Sequence, residues 1–313
     1  MIIPEEYHIL PFQVPFKVKE FEKTYQEGDF VLSLERKDIN QWFDEFIKVI
    51  ENAIVERKFL PICRMSDGEF IFCVGEQLPS KRLGTLYRLR YFIRRKLAKI
   101  IKGTDFKAAT LPNVPSGSYS QKEISLIKEK YANYIKKISE MGILALDFTV
   151  FNEPFQEQYF KPFYNWLNKN KIYLNTKNYY PFYFVYMALL GEQKVTILNK
   201  RNILVVHSAK DKKREKINSE LTKYEVLNVE WLSISSDRSL YDQINVSQLK
   251  SKPDLILIGA GVGKPNIILQ LEQLSVPCLD AGYVFEVWYD DANKWKRRYC
   301  VTDSEYNPEL INL

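Results

Sequence analysis

Lys252-Pro253-Asp254-Leu255-Ile256-Leu257-Ile258-Gly259-Ala260-Gly261-Val262-Gly263-Lys264-Pro265 compresses a strand, a glycine turn and a helix start into one short stretch. Leu255 to Ile258 is a brief apolar run bounded by a turn, the pattern of a strand buried on both faces. Pro265 suits a first helical turn, where a missing N–H costs nothing.

The same rhythm spreads outward. Upstream, Phe59-Leu60-Pro61-Ile62-Cys63-Arg64, Ile143 to Phe148, Ile203 to His207 and Val229 to Ile234 all read as strands, and Val276 to Leu279 follows downstream. Between them fall helical patterns: Ile39, Trp42, Phe43, Phe46, Ile47, Ile50 and Ile54 after Asp38, then Leu83 to Lys102, Ser120 to Met141, Lys210 to Lys223, Leu240 to Leu249 and Pro265 to Leu274. Ser120 and Glu123 form a capping box, and Gly142 suits a left-handed helix end. Apolar strands alternating with helices predict an α/β fold, a mostly parallel sheet with helices on both faces. We divide the chain into an N-terminal arm and helix (1–57), one main domain (58–290) and a C-terminal tail (291–313).

Composition narrows the function. The chain has 313 residues, 46% of them hydrophobic, enough for a large core. Two histidines, His8 and His207, and four cysteines without C-x-x-C spacing argue against a zinc site and fit a reducing compartment. Met1 to Glu6 lacks the basic and apolar regions of a signal peptide. The longest apolar run, Tyr179 to Leu190, is too short to span a bilayer, so a cytoplasmic protein is expected. A net charge of +6 tolerates an anionic partner and selects none.

In parallel sheets, ligands bind outside the carboxyl ends of the strands. Arg64-Met65-Ser66-Asp67-Gly68-Glu69 ends the first strand, and its two carboxylates suit a hard cation such as Mn²⁺ or Mg²⁺. Gly68 allows a tight turn, and Arg64 offers a fork for phosphate; the plain alternative is an Asp67-Gly68 turn with solvated charges. Gly259, Gly261 and Gly263 open backbone N–H groups to an anion or simply allow a tight strand-to-helix turn; the glycine spacing and Pro265 rule out a Walker A loop. Asp280-Ala281-Gly282-Tyr283 offers a carboxylate for a ribose hydroxyl, a metal or an acceptor, or a cap for the next segment. His207 reads first as a structural histidine, and Ser208 as a helix cap or phosphate ligand. The cations between Arg82 and Lys102 fit a membrane surface or lipid diphosphate, or simply a solvated helix face.

Taken in order, these elements resemble the GT-D-type glycosyltransferases, whose members carry R-x-G-D-G-E after an early strand. Here Ser66 replaces the first glycine, while Asp254 to Gly261 resembles the family's D-L-I-L-x-x-x-G element and Leu279-Asp280-Ala281-Gly282 its L-D-x-G element. The resemblance covers about residues 58 to 290. It implies a Rossmann-like domain that binds a nucleotide-sugar donor, expected to be a UDP-hexose, through Mn²⁺ or Mg²⁺ held by Asp67 and Glu69. Arg64, Ser66, Gly68, Ser208, Gly259, Gly261, Asp280 and Tyr283 would line the donor site. The acceptor would be a glycan or a lipid-linked sugar, with the Arg82 to Lys102 helix touching the inner face of a membrane, and no nucleic acid is expected. Relatives carry a His and an Asp where this chain has Tyr283 and Phe285, which leaves Glu286 and Asp147 as candidate bases. Two other readings compete: a nicotinamide-dependent oxidoreductase and a basic module binding nucleic acid or membrane. The late glycine turn weighs against the first, since Asp280 some 20 positions on leaves no second nucleotide-binding half.

Overall fold

The structure, a computed structural model, describes residues 39–74, 93, 121–147, 162–296 and 300–301. The expected N-terminal arm, all of the helix at Leu83 to Lys102 except Ile93, and the last residues of the tail lie outside them. Among the described residues no helix is long and apolar enough to cross a membrane.

The apolar runs pair side by side into one sheet. Among the described residues its seven strands are β1 (Leu60–Met65), β2 (Ile143–Leu146), β3 (Tyr179–Pro181), β4 (Asn202–His207), β5 (Asn228–Ser233), β6 (Leu255–Gly259) and β7 (Pro277–Asp280). They stand in the order β3-β2-β1-β7-β6-β4-β5, and every pairing is parallel. This is the α/β, Rossmann-like sheet expected from the alternation of short apolar runs with helices.

Helices cover both faces: α1 (Ile39–Val55), α2 (Asp67–Val74), α3 (Gln121–Met141), α4 (Tyr183–Leu190), α5 (Lys194–Leu198), α6 (Asp211–Thr222), α7 (Lys264–Gln270) and α8 (Val284–Tyr289). A further helical stretch spans 162–169. On α1, Trp42, Phe43, Phe46, Ile47, Ile50 and Ile54 recur at helical spacing and are buried. Trp42 and Phe46 meet the rings of Tyr180 and Phe184, so α1 seals the β3 side of the sheet. Most of the Tyr179 to Tyr186 aromatics are therefore core.

Three local expectations change. Leu240 to Leu249 is not one helix but two 3₁₀ turns, Ser239–Tyr241 and Val246–Gln248. Asp242 accepts from the N–H and hydroxyl of Ser235, and Asn245 caps Ser247, so polar side chains take the backbone out of the helix. Gly142 does not take a left-handed conformation. It is glycine because an added Cβ would stand 2.1 Å from the Pro61 carbonyl oxygen. Asp67 opens a helix instead of sitting in a turn, and Gly68 has no positive φ.

The chain leaves β1 toward β2, away from β7, and leaves β4 toward β5, away from β6. Crevices are expected at the carboxyl ends of both neighbouring pairs. They are filled very differently.

Candidate functional site

At the end of β1 the chain passes through Ser66 straight into α2. The N–H of Phe70 donates to the Ser66 carbonyl at 2.9 Å, which makes Ser66 the residue that starts the helix. Glu69 Oε2 reaches back to accept the Ser66 N–H at 3.0 Å. Ser66-Asp67-Gly68-Glu69 is thus half of a capping box. The Ser66 hydroxyl turns the other way and donates to Asp147 Oδ2 at 3.1 Å. Asp147 follows β2, its N–H bonded to the Met65 carbonyl.

Beneath this turn lies a cluster of buried charge. Lys264, the first residue of α7, places Nζ 2.8 Å from Glu69 Oε1 and 2.8 Å from Asp280 Oδ2. Arg64 donates from Nε to the Asp280 carbonyl at 2.6 Å, from Nη2 to Oδ1 at 3.3 Å, and from its backbone N–H to Oδ2 at 3.2 Å. The guanidinium also lies 4.2 Å from the centre of the Tyr186 ring. Asp280, Lys264, Glu69 and Arg64 are only 1, 4, 5 and 6% exposed. Burial works against the charge on Lys264, but Asp280 and Glu69 hold its pKa above the ordinary lysine range. Arg64 is likewise held charged against burial, chiefly by Asp280.

This arrangement points both Arg64 and Asp280 at partners within the protein. Arg64 turns its fork onto Asp280, within the protein, and not outward to a phosphate. Asp280 is 1% exposed and gives both oxygens to Arg64 and Lys264, so its carboxylate faces the protein interior. Gly282, two residues on, has φ +45°, and a Cβ there would meet Arg64 Nη2 at 1.8 Å. Glycine is required here because the arginine occupies the side-chain space.

The second crevice, between β4 and β6, is filled by the protein itself. The His207 ring meets Phe285 at a tilt, centroids 4.9 Å apart, and a Cβ on Gly259 would collide with both rings. The side-chain space at Gly259 is thus taken up by packing. Gly261, with φ +52°, does need its glycine for the turn. Gly263 is pressed against Ser239. His207 Nδ1 accepts the Ala209 N–H at 2.8 Å, and burial with Lys213 nearby pushes its pKa down to about 4 against the pull of Glu286. It is a neutral structural histidine, as its sequence context suggests. Ser208 does not cap α6, whose N-cap is Lys210.

The two candidate bases separate. Asp147 sits beside Ser66 at the β1–β2 edge of the charge cluster. Glu286 projects from α8 and pairs with Lys213, and the Tyr283 hydroxyl donates to the Asn293 carbonyl. Lys264 is the member of the cluster that the sequence does not single out, since Gly263-Lys264 reads only as an incomplete phosphate loop. The S-x-x-E spacing of Ser66 and Glu69 is a legible capping signal. The four cysteines are free and buried, and burial pushes the Cys63, Cys73 and Cys278 thiols up, so they act as small apolar groups. The chain matches no protein-family model, no curated protein and no solved structure.

Proposed function

We propose that this chain is a glycosyltransferase that moves a hexose from a nucleoside diphosphate sugar, UDP the expected carrier, to a glycan or lipid-linked acceptor in surface polysaccharide or glycoprotein glycan synthesis. The observation that carries the reading is Gly68. It lies in the first turn of α2 at the carboxyl end of a central strand, yet neither a positive φ nor a crowded side-chain space demands glycine: among the described residues, an added Cβ would meet no heavy atom within 4 Å. A helix pays about 1 kcal/mol for glycine over alanine. Close approach of a ligand backbone or phosphate to the positive end of α2 gives that glycine a purpose. The R-x-S-D-G-E resemblance supplies the class of ligand.

In this reading the buried charges form the floor of the site and hold β1, α2, α7 and β7 in register. Asp147, beside Ser66 at the β2 end, is better placed than Glu286 to take the acceptor proton. The resemblance also implies Mn²⁺ or Mg²⁺ on Asp67 and Glu69. Glu69 as folded gives one oxygen to the Lys264 ammonium and the other to the Ser66 N–H. An ion arriving there would meet a cation already in place, so the residues fit an internal ammonium better than a divalent metal.

Thermal-shift titration with a panel of nucleoside diphosphate sugars tests the reading. A UDP-hexose should stabilise the protein, and Gly68→Ala should weaken that stabilisation while leaving the apo protein as stable or about 1 kcal/mol more so. Asp147→Asn should lower turnover about 100-fold with donor binding retained. Stabilisation by NADH and by no nucleotide sugar would replace this reading with an oxidoreductase.

A further inference from the structure

We propose that Lys264 is the resident cation of this site: its ammonium holds the position between Glu69 and Asp280 that a divalent ion would otherwise take. The native protein therefore keeps divalent metal out of that position. Removing the ammonium turns the two carboxylates into a divalent-cation site.

The charge balance carries the inference. Two cations, Arg64 and Lys264, face two carboxylates, Glu69 and Asp280, and all four are nearly sealed from water. The cluster sums to zero as it stands. A divalent ion added to it would leave two uncompensated positive charges in a medium that screens them poorly. Without Lys264 the sum is one negative charge, and Glu69 Oε1 and Asp280 Oδ2, which now converge on one nitrogen, would converge on an empty position. Hard oxygen ligands of that kind suit Mn²⁺ or Mg²⁺, which complete their shells with water. Lys264 is placed there by its own loop. Gly261 turns through the left-handed region and Gly263 packs against Ser239, whose hydroxyl bonds the Ala260 carbonyl, so α7 starts with its first side chain aimed at β7. In this role Lys264 is a positioning residue, acting through the carboxylates it holds.

The idea concerns the protein's own charges and needs no sugar donor, so it and the glycosyltransferase reading fail separately. The test is Mn²⁺ binding to the full chain, followed by the loss of the free-ion paramagnetic resonance signal and by calorimetry. Wild type should leave the Mn²⁺ signal undiminished, whereas Lys264→Met should bind one equivalent at least about 100-fold more tightly. The double variant Lys264→Met with Glu69→Gln, which restores neutrality, should lose that gain. If Lys264→Met alone fails to fold, added Mn²⁺ should restore its circular dichroism, and failure to do so overturns the proposal. Stoichiometric Mn²⁺ binding by wild type that Glu69→Gln abolishes also overturns it, and would return the carboxylates to the metal-ligand role. Equal Mn²⁺ affinity in wild type and Lys264→Met would overturn it as well.

Discussion

Two arginine–aspartate pairs tie together distant parts of this chain, at opposite edges of one sheet. At the amino edge, Arg57 after α1 meets Asp254 before β6 at 2.7 Å, and Asp254 also accepts from the backbone and side chain of Asn202. At the carboxyl edge, Arg64 meets Asp280 at 3.3 Å. Distance alone would rank the amino-edge pair stronger. Its side chains are 47 and 15% exposed, however, against 7 and 1% for the other. Water and salt screen the first pair, while the second shares its aspartate with Lys264 in a sealed pocket. Burial and sharing, more than contact length, separate a seam from a site.

The largest expected effect comes from cutting the carboxyl-edge cluster at its centre. Asp280→Asn leaves Arg64 and Lys264 buried against a single carboxylate, and urea unfolding should show a loss of about 3–5 kcal/mol. A loss below about 1 kcal/mol would erase the contrast between the two edges. The His207 side of the carboxyl edge should respond to acid instead. His207 is neutral in the folded protein with its pKa lowered to about 4, while an unfolded histidine takes a proton near 6.5. Its contribution is complete above pH 6.5 and is lost as pH falls from there to about 4, amounting to about 3 kcal/mol. His207→Gln should flatten stability across that window, and an unchanged pH profile would show that the histidine is not held neutral.

Gly282→Ala tests whether Arg64 is as tightly held as its contacts indicate. The positive φ and the encroachment on Arg64 Nη2 should together cost about 2 kcal/mol, measured by the denaturation midpoint. If the arginine simply swings aside, the cost should drop to that of the backbone conformation alone. Arg57→Ala should cost the least, under about 1 kcal/mol, and the effect should shrink further as salt is raised. A larger loss would make the amino edge more than a seam.

Much of the sheet is legible in the residues alone. Leu255 to Ile258 and Ile203 to His207 announce themselves because a strand covered on both faces has no polar alternation to preserve. The Tyr179–Pro181 strand and α4 are hidden in one aromatic run, since a helix buried all round loses its periodic signature. The 3₁₀ turns at Ser239 and Val246 imitate a helix because apolar spacing is a local signal and the competing Asp242 and Asn245 hydrogen bonds are not. At the site, Arg64, Glu69 and Asp280 each stand out in the sequence, but their residue types point to phosphate, metal and ribose where the fold supplies one another. Lys264 does not stand out, because nothing local marks a lysine that folds back under a sheet.

By itself, then, the sequence determined the parallel sheet and three of the four ions buried at its carboxyl edge, because hydrophobic period and residue type are local properties. Only the tertiary structure decided that those ions answer one another. Arg64 and Asp280 stand 216 positions apart, and whether a charge faces solvent, a ligand or its opposite depends on strand order and register, which no short stretch of chain contains.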